Sequence, residues 1–202
     1  LAWRYSVCAD PFPREMSRAE AESNFRQRIS SILSQVSDNV IFDDLDPVIT
    51  DCMDALRSLE FSSRRSAYVK GRTLEQKQWY ASKARTNRRK ARLSSALLAI
   101  SEFLAATLAA GRAFGGWSVD LAGLLAAMIT AGTAWVAVKQ FSPLASAYAV
   151  ATKELGIQAS RLLTVDEEDW PLLAADAEEA ISREHTTWLA SRIGRFPNWN
   201  DT

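Results

Sequence analysis

Glu102 is the one charged residue between Leu93 and Gly111, in a run otherwise made of apolar and small hydroxyl residues. A carboxylate so placed has two uses. It can be protonated or hydrogen-bonded inside a packed helix seam, or it can face a water-filled path for cations, because an unpaired charge within a bilayer is expensive. Counting by threes and fours along a helix puts Ala105, Ala106, Ala109, Arg112 and Ala113 on one side of it and Leu98, Ser94 and Ser95 on the other, a small and partly polar stripe. A second apolar run, Val119–Val138, offers Gly123, Ala127 and Ala131 at four-residue spacing, the pattern by which membrane helices approach closely. Glu102, Ser95, Ala106, Ala109, Gly123, Ala127 and Ala131 are thus the candidate residues of a pore or a helix seam. A pore requires several copies, since two helices enclose nothing between them.

Other chemistry finds little support. His185 is the only histidine, which excludes a histidine-rich metal site within this chain. Cys8 and Cys52 have no spacing that suggests a metal site or a disulfide framework, and neither has a histidine and acid set nearby. No glycine-rich phosphate loop is present. Glu184 and His185 beside Trp188 could suggest acid–base catalysis, but on a helix surface they read more simply as packing or capping residues. No catalytic residue, metal or cofactor is expected, and the chain does not read as an enzyme. Lys83, Arg85, Arg88, Arg89, Lys90 and Arg92 form a basic cluster without an acidic residue. Beside an apolar run, attraction to lipid headgroups and control of topology explain that cluster better than nucleic acid, which is not expected as a partner.

The elements that position these residues read as helices almost throughout. Lys plus Arg equals Asp plus Glu at 24 each, so net charge names no partner, although seven acidic residues and no basic one lie between Asp166 and Glu179. Pro11-Phe12-Pro13 breaks the chain early. Ser17 and Glu20 have capping-box form ahead of Phe25, Ile29, Ile32, Leu33 and Val36 at helical spacing. Pro47 suits the first turn of a further helix carrying Val48, Cys52, Leu56 and Leu59. Ser62–Gly71 reads as a short helix or a linker. From Thr73 to Gly111 there is neither proline nor glycine, which predicts one helix of roughly 40 residues, about 60 Å long. Lys139–Leu163 follows the second apolar run with only Pro143 and Gly156 as interruptions, and a last helix spans about Trp170 to Arg192. No alternating pattern predicts a strand.

Leu93–Phe114 and Val119–Val138 each approach the ~20 residues that cross a bilayer. Four residues join them, so the second helix must return antiparallel to the first. Positive charge lies before the first run, while the turn offers only Arg112, which places both flanks on the cytoplasmic side. Trp117 and Trp135 suit the two interfaces. Glu102 makes the first span marginal: it costs on the order of 3 kcal/mol against roughly 0.5 returned by each leucine, isoleucine or phenylalanine.

The run Gln76-x-x-Trp79-Tyr80-x-x-Lys83-Ala84-x-x-Asn87 ahead of the hairpin and the Glu184-His185-x-x-Trp188 ending after it are similar to the SLATT family, the SMODS- and SLOG-associating two-transmembrane effector domains. The resemblance covers roughly residues 62–192. It implies a bacterial antiphage or conflict role in which the protein oligomerises and perforates or perturbs the inner membrane. It also implies a nucleotide-sensing or signalling protein encoded nearby as a partner. Trp79, Tyr80, Glu184, His185 and Trp188 would pack the cytoplasmic bundle. Some members carry two such units, and Leu1–Tyr5 with Pro11–Pro13 would fit the end of an upstream one.

The expected fold is an all-α membrane protein, with a two-helix transmembrane hairpin on long helices that extend into a cytoplasmic helical bundle. The expected division is an N-terminal helical segment over 1–61, a SLATT-like domain over 62–193 and a tail over 194–202. The expected function is a membrane effector forming a pore. The alternative is a membrane-anchored module that recruits a partner protein and conducts nothing.

Overall fold

The computed structural model describes residues 1–34, 48–116 and 119–193, with side chains described up to Ile181 in the last helix. The described residues are all-α, without strands. In chain order the helices are α1 (Ala2–Ser6), α2 (Arg18–Leu33), α3 (Asp51–Ser58), α4 (Phe61–Tyr68), a π-helical segment (Val69–Leu74), α5 (Glu75–Gly115), α6 (Leu121–Lys139), α7 (Phe141–Thr164) and α8 (Trp170–Ile193). They form two compact units, residues 1–74 with 157–202, and residues 75–156.

The first unit is built around its N-terminal segment. Tyr5, Val7, Ala9 and Phe12 are fully buried. Val7 and Ala9 share a core with Tyr68, Leu162, Trp170 and Ala174, while Tyr5 and Phe12 pack with Ala21 and Phe25 of α2. Each large side chain so buried contributes roughly 1.5–3 kcal/mol. The irregular backbone between α1 and α2 has its carbonyls satisfied by distant side chains, as buried polar groups require. The Trp170 indole donates to the Val7 carbonyl at 2.7 Å and Arg64 Nη1 donates to the same oxygen at 3.3 Å, while Arg4 of α1 ties back to α8 by donating Nη2 to the Ala175 carbonyl at 2.9 Å. Buried Arg57 donates to the carbonyls of Tyr5, Phe12 and Pro13 at 2.9–3.0 Å. Residues that read as a trailing end are therefore core.

Local capping follows the sequence in part. Ser17 accepts from the Glu20 amide at 3.3 Å, so the capping box starts α2. α3 begins at Asp51 rather than near Pro47, because Thr50 caps it through the Met53 amide at 3.3 Å. Val48 accordingly lies outside that helix and is exposed. Pro47 and Val36 fall outside the described residues.

The second unit is a helical hairpin. α5 is one helix of 41 residues, as the absence of proline and glycine predicts. The return arm is not continuous. α6 ends at Lys139 and Gln140 adopts the left-handed conformation (φ 50°, ψ 39°), donating its amide to the Val136 carbonyl at 3.1 Å. The cause is Pro143, whose ring would collide with the carbonyl four residues earlier, that of Lys139. The break thus sits three residues ahead of the proline, and α7 restarts at Phe141 with Pro143 in its first turn.

Candidate functional site

Burial along the hairpin follows a strict three–four alternation. Between Ala91 and Leu108 the half-buried residues of α5 are Ala91, Ser94, Leu98, Ser101, Ala105 and Leu108, and all others are exposed. Along α6 they are Ala122, Leu125, Ile129, Gly132 and Val136. This is the seam of a two-helix coiled coil, at the 3.5-residue repeat that keeps one stripe facing its partner. Tyr80, Ala84 and Asn87 extend it, which gives the Tyr80-x-x-x-Ala84-x-x-Asn87 spacing a structural reason. Tyr80 is buried and meets Tyr148 with ring centroids 5.9 Å apart, and half-exposed Trp79 meets the same ring at 6.0 Å.

The seam does not contain the stripe expected from Glu102. Glu102, Ser95, Ala106, Ala109, Gly123, Ala127 and Ala131 are all exposed. The correction has a simple cause. Leu98, Leu108, Leu125, Ile129 and Val136 bury more apolar surface between the helices than alanines would, so they set the phase of the seam. Gly132 lies beneath the Leu98 side chain, where an added Cβ would stand 3.5 Å from the leucine Cδ2.

The seam instead divides the hairpin into two unlike flanks. In an antiparallel pair, residues immediately following a seam position lie on the same flank of both helices, and residues immediately preceding one lie on the other. The following residues are Ser95, Ala99, Glu102, Ala106 and Ala109 of α5, with Gly123, Ala126, Thr130, Thr133 and Ala137 of α6. None but Glu102 is larger than threonine. The preceding residues are Leu93, Leu97, Ile100, Leu104 and Thr107, with Leu121, Leu124, Met128, Ala131 and Trp135. Ala131 therefore belongs among large apolar residues, and Ala127 and Phe103 lie on the outer faces. Thr130 and Thr133 join the polar flank without having been singled out in the sequence. Their hydroxyls donate to the carbonyls of Ala126 and Ile129 at 3.0 and 2.8 Å, which leaves lone pairs outward. Reading the phase of the large apolar residues on both helices together would have found them.

Glu102 lies about 15 Å along the helix from Arg92 and about 20 Å from the end of α5, near the middle of the apolar stretch. The tip of the hairpin is neutralised locally. Arg112 pairs with Asp120 at 2.6 Å, and Asp120 also accepts the Gly123 amide at 3.0 Å as the N-cap of α6. Within α6, Lys139 stands over Trp135 at 4.3 Å, and across the hairpin Lys90 stands over Phe141 at 5.7 Å. Trp117 and the side chains of Glu184, His185 and Trp188 are outside the described residues, so their expected places in the interface and the cytoplasmic bundle are not described.

Both long helices carry windows of mean hydropathy 1.7 and 1.9, and no part of either window is buried. By length and composition each can cross a membrane. The family described as SMODS and SLOG-associating 2TM effector domain 1 matches residues 68–188, the span that contains the whole hairpin. The chain belongs to the SLATT family. The related SMODS and SLOG-associating 2TM effector domain 3 matches residues 1–65. No curated protein and no solved structure matches the chain. SLATT domains are two-transmembrane effector domains associated with conflict and defence systems, and this SLATT chain is a membrane protein. The first compact unit of the SLATT chain draws on both matches, since Arg64 of the 1–65 match pairs with Glu167 of the 68–188 match at 2.6 Å. Among the described residues no group of histidine, cysteine, aspartate or glutamate could hold a metal ion.

Proposed function

We propose that this SLATT chain is a pore-forming effector of the bacterial inner membrane, assembled by self-association through the flank that carries Glu102. The two-sidedness of the hairpin is the observation that supports it. Large side chains on one flank return roughly 0.3–0.6 kcal/mol each in lipid, whereas a carboxylate on the other costs on the order of 3 kcal/mol there. Covering the small, polar flank with copies of itself removes Glu102 from lipid, and small residues permit close helix approach. In a ring of hairpins the carboxylates of Glu102 would face the shared axis and favour cations. The basic cluster before the first span and the neutral Arg112–Asp120 tip support cytoplasmic placement of both ends of the hairpin. A nucleotide-linked signal, received through a neighbouring sensor protein, would release the assembly.

The test is ion flux. Induced expression should depolarise cells and slow growth, and purified protein should release a cation dye from vesicles. Glu102→Ala should abolish both. A chain that self-associates without any flux would instead be a membrane anchor for a partner, with the alanines of the flank packed dry.

A further inference from the structure

The seam sorts five of the six basic residues ahead of the first span into two groups and leaves Arg89 on the outer face. Arg85, Arg88 and Arg92 immediately follow the seam positions Ala84, Asn87 and Ala91, so they stand on the flank of Glu102. Lys83 and Lys90 immediately precede Ala84 and Ala91, on the flank of the large apolar residues. The lysines are placed against aromatic rings, Lys83 over Trp79 at 5.2 Å and Lys90 over Phe141 at 5.7 Å. The three arginines are exposed and make no hydrogen bond or ion pair among the described residues. The hairpin itself offers them no carboxylate over these stretches. Neither α5 between Glu75 and Glu102 nor the return arm between Asp120 and Glu154 contains a carboxylate.

We propose that Arg85, Arg88 and Arg92 bind the phosphate of anionic phospholipid between neighbouring copies, and that self-association through the Glu102 flank requires that lipid. The inference rests on the assembly proposed above. A membrane holds all copies parallel, so each arginine faces its own kind in the neighbour, and like charges oppose the contact unless an anion lies between them. Depth identifies the anion. Arg92 directly adjoins Leu93, with Arg88 about 6 Å and Arg85 about 10 Å farther along the helix. The headgroup layer is roughly 5–8 Å thick on each side, so Arg92 and Arg88 lie within it, and Arg85 lies a few ångströms beyond it, a distance its long side chain can span. The planar guanidinium fork matches a phosphate bidentately, which a lysine does not.

The experiment reconstitutes the full chain, labelled for energy transfer between copies, into vesicles of phosphatidylcholine with or without phosphatidylglycerol. Self-association should be about tenfold stronger with phosphatidylglycerol. Arg85→Gln/Arg88→Gln/Arg92→Gln should associate equally well in both lipids, because the repulsion is gone. Lys83→Gln/Lys90→Gln should keep the lipid dependence. Equal association of the unmodified chain in both lipids overturns the inference, as does lipid dependence that survives in the triple arginine variant. Restoration in phosphatidylcholine by added inorganic pyrophosphate would show a free phosphate to be the ligand and overturn the lipid assignment. Lipid-dependent association without cation flux leaves this inference standing and defeats the pore. Absence of association in either lipid defeats both.

Discussion

Leu98 covers Gly132: a Cβ placed on the glycine would stand 3.5 Å from the leucine Cδ2, an ordinary van der Waals contact. The hairpin is closed here by one methyl group's worth of space. Gly132→Ala should therefore change stability by less than about 0.5 kcal/mol, while Gly132→Ile should cost roughly 1–3 kcal/mol by prising the helices apart. Thermal unfolding in detergent, followed by circular dichroism, distinguishes the two.

The flanks predict opposite responses to bulk. Ala106→Trp places a large ring on the small flank and should reduce self-association in vesicles at least about tenfold, the loss of roughly 1.4 kcal/mol of close packing. Leu104→Trp, two residues earlier on the flank of large apolar residues, should leave it unchanged. Equal effects of both substitutions would refute the assignment of flanks.

Tyr68 donates to Glu178 at 2.9 Å, and Arg72 grips the same carboxylate with Nε and Nη2 at 2.8 and 3.1 Å. Burial, then the charge of Glu178, raises the Tyr68 phenol far above its usual range, and burial with the Asp54 hydrogen bond pushes Tyr5 up to about 12. Both phenols are held neutral in the fold but ionise near 10 when unfolded. Their contribution is intact below pH 10 and is lost as pH rises above it, until about 12 for Tyr5. Urea midpoints should fall from pH 10 upward with a limiting slope of about 2.7 kcal/mol per pH unit, and Tyr68→Phe should halve that slope.

Thr73, in the π-helical segment, is fully buried, and its hydroxyl has no partner. An unpaired buried hydroxyl costs about 1–3 kcal/mol. Thr73→Val keeps the shape and removes the cost, so the urea midpoint should rise by an amount equivalent to about 1 kcal/mol.

The left-handed Gln140 gives a fourth expectation for stability. A non-glycine residue there costs roughly 1–2 kcal/mol. Gln140→Gly should relieve most of it, and Gln140→Val should worsen it. Melting temperatures of the two variants should move to opposite sides of the unmodified chain.

Sequence alone determined the helices, the two spans and the tight return between them, because these depend on local composition. Helix breakers are absent from Thr73 to Gly111, apolar residues accumulate over a bilayer's thickness, and a short connection forces antiparallel return. It also singled out Glu102, since a charge is costly in so apolar a run. Which residues share a flank with Glu102 was decided only by the tertiary structure. Glycine and alanine every four places mark a possible close contact, yet the phase of a seam is fixed by whichever residues on both helices together bury most surface, and here those are Leu98, Leu125, Ile129 and Val136. The same holds for the N-terminal segment. Tyr5, Val7 and Phe12 carry no periodicity that distinguishes core from tail; their burial follows from partners more than forty residues away, Arg57, Arg64 and Trp170, which hold their carbonyls and cover their side chains.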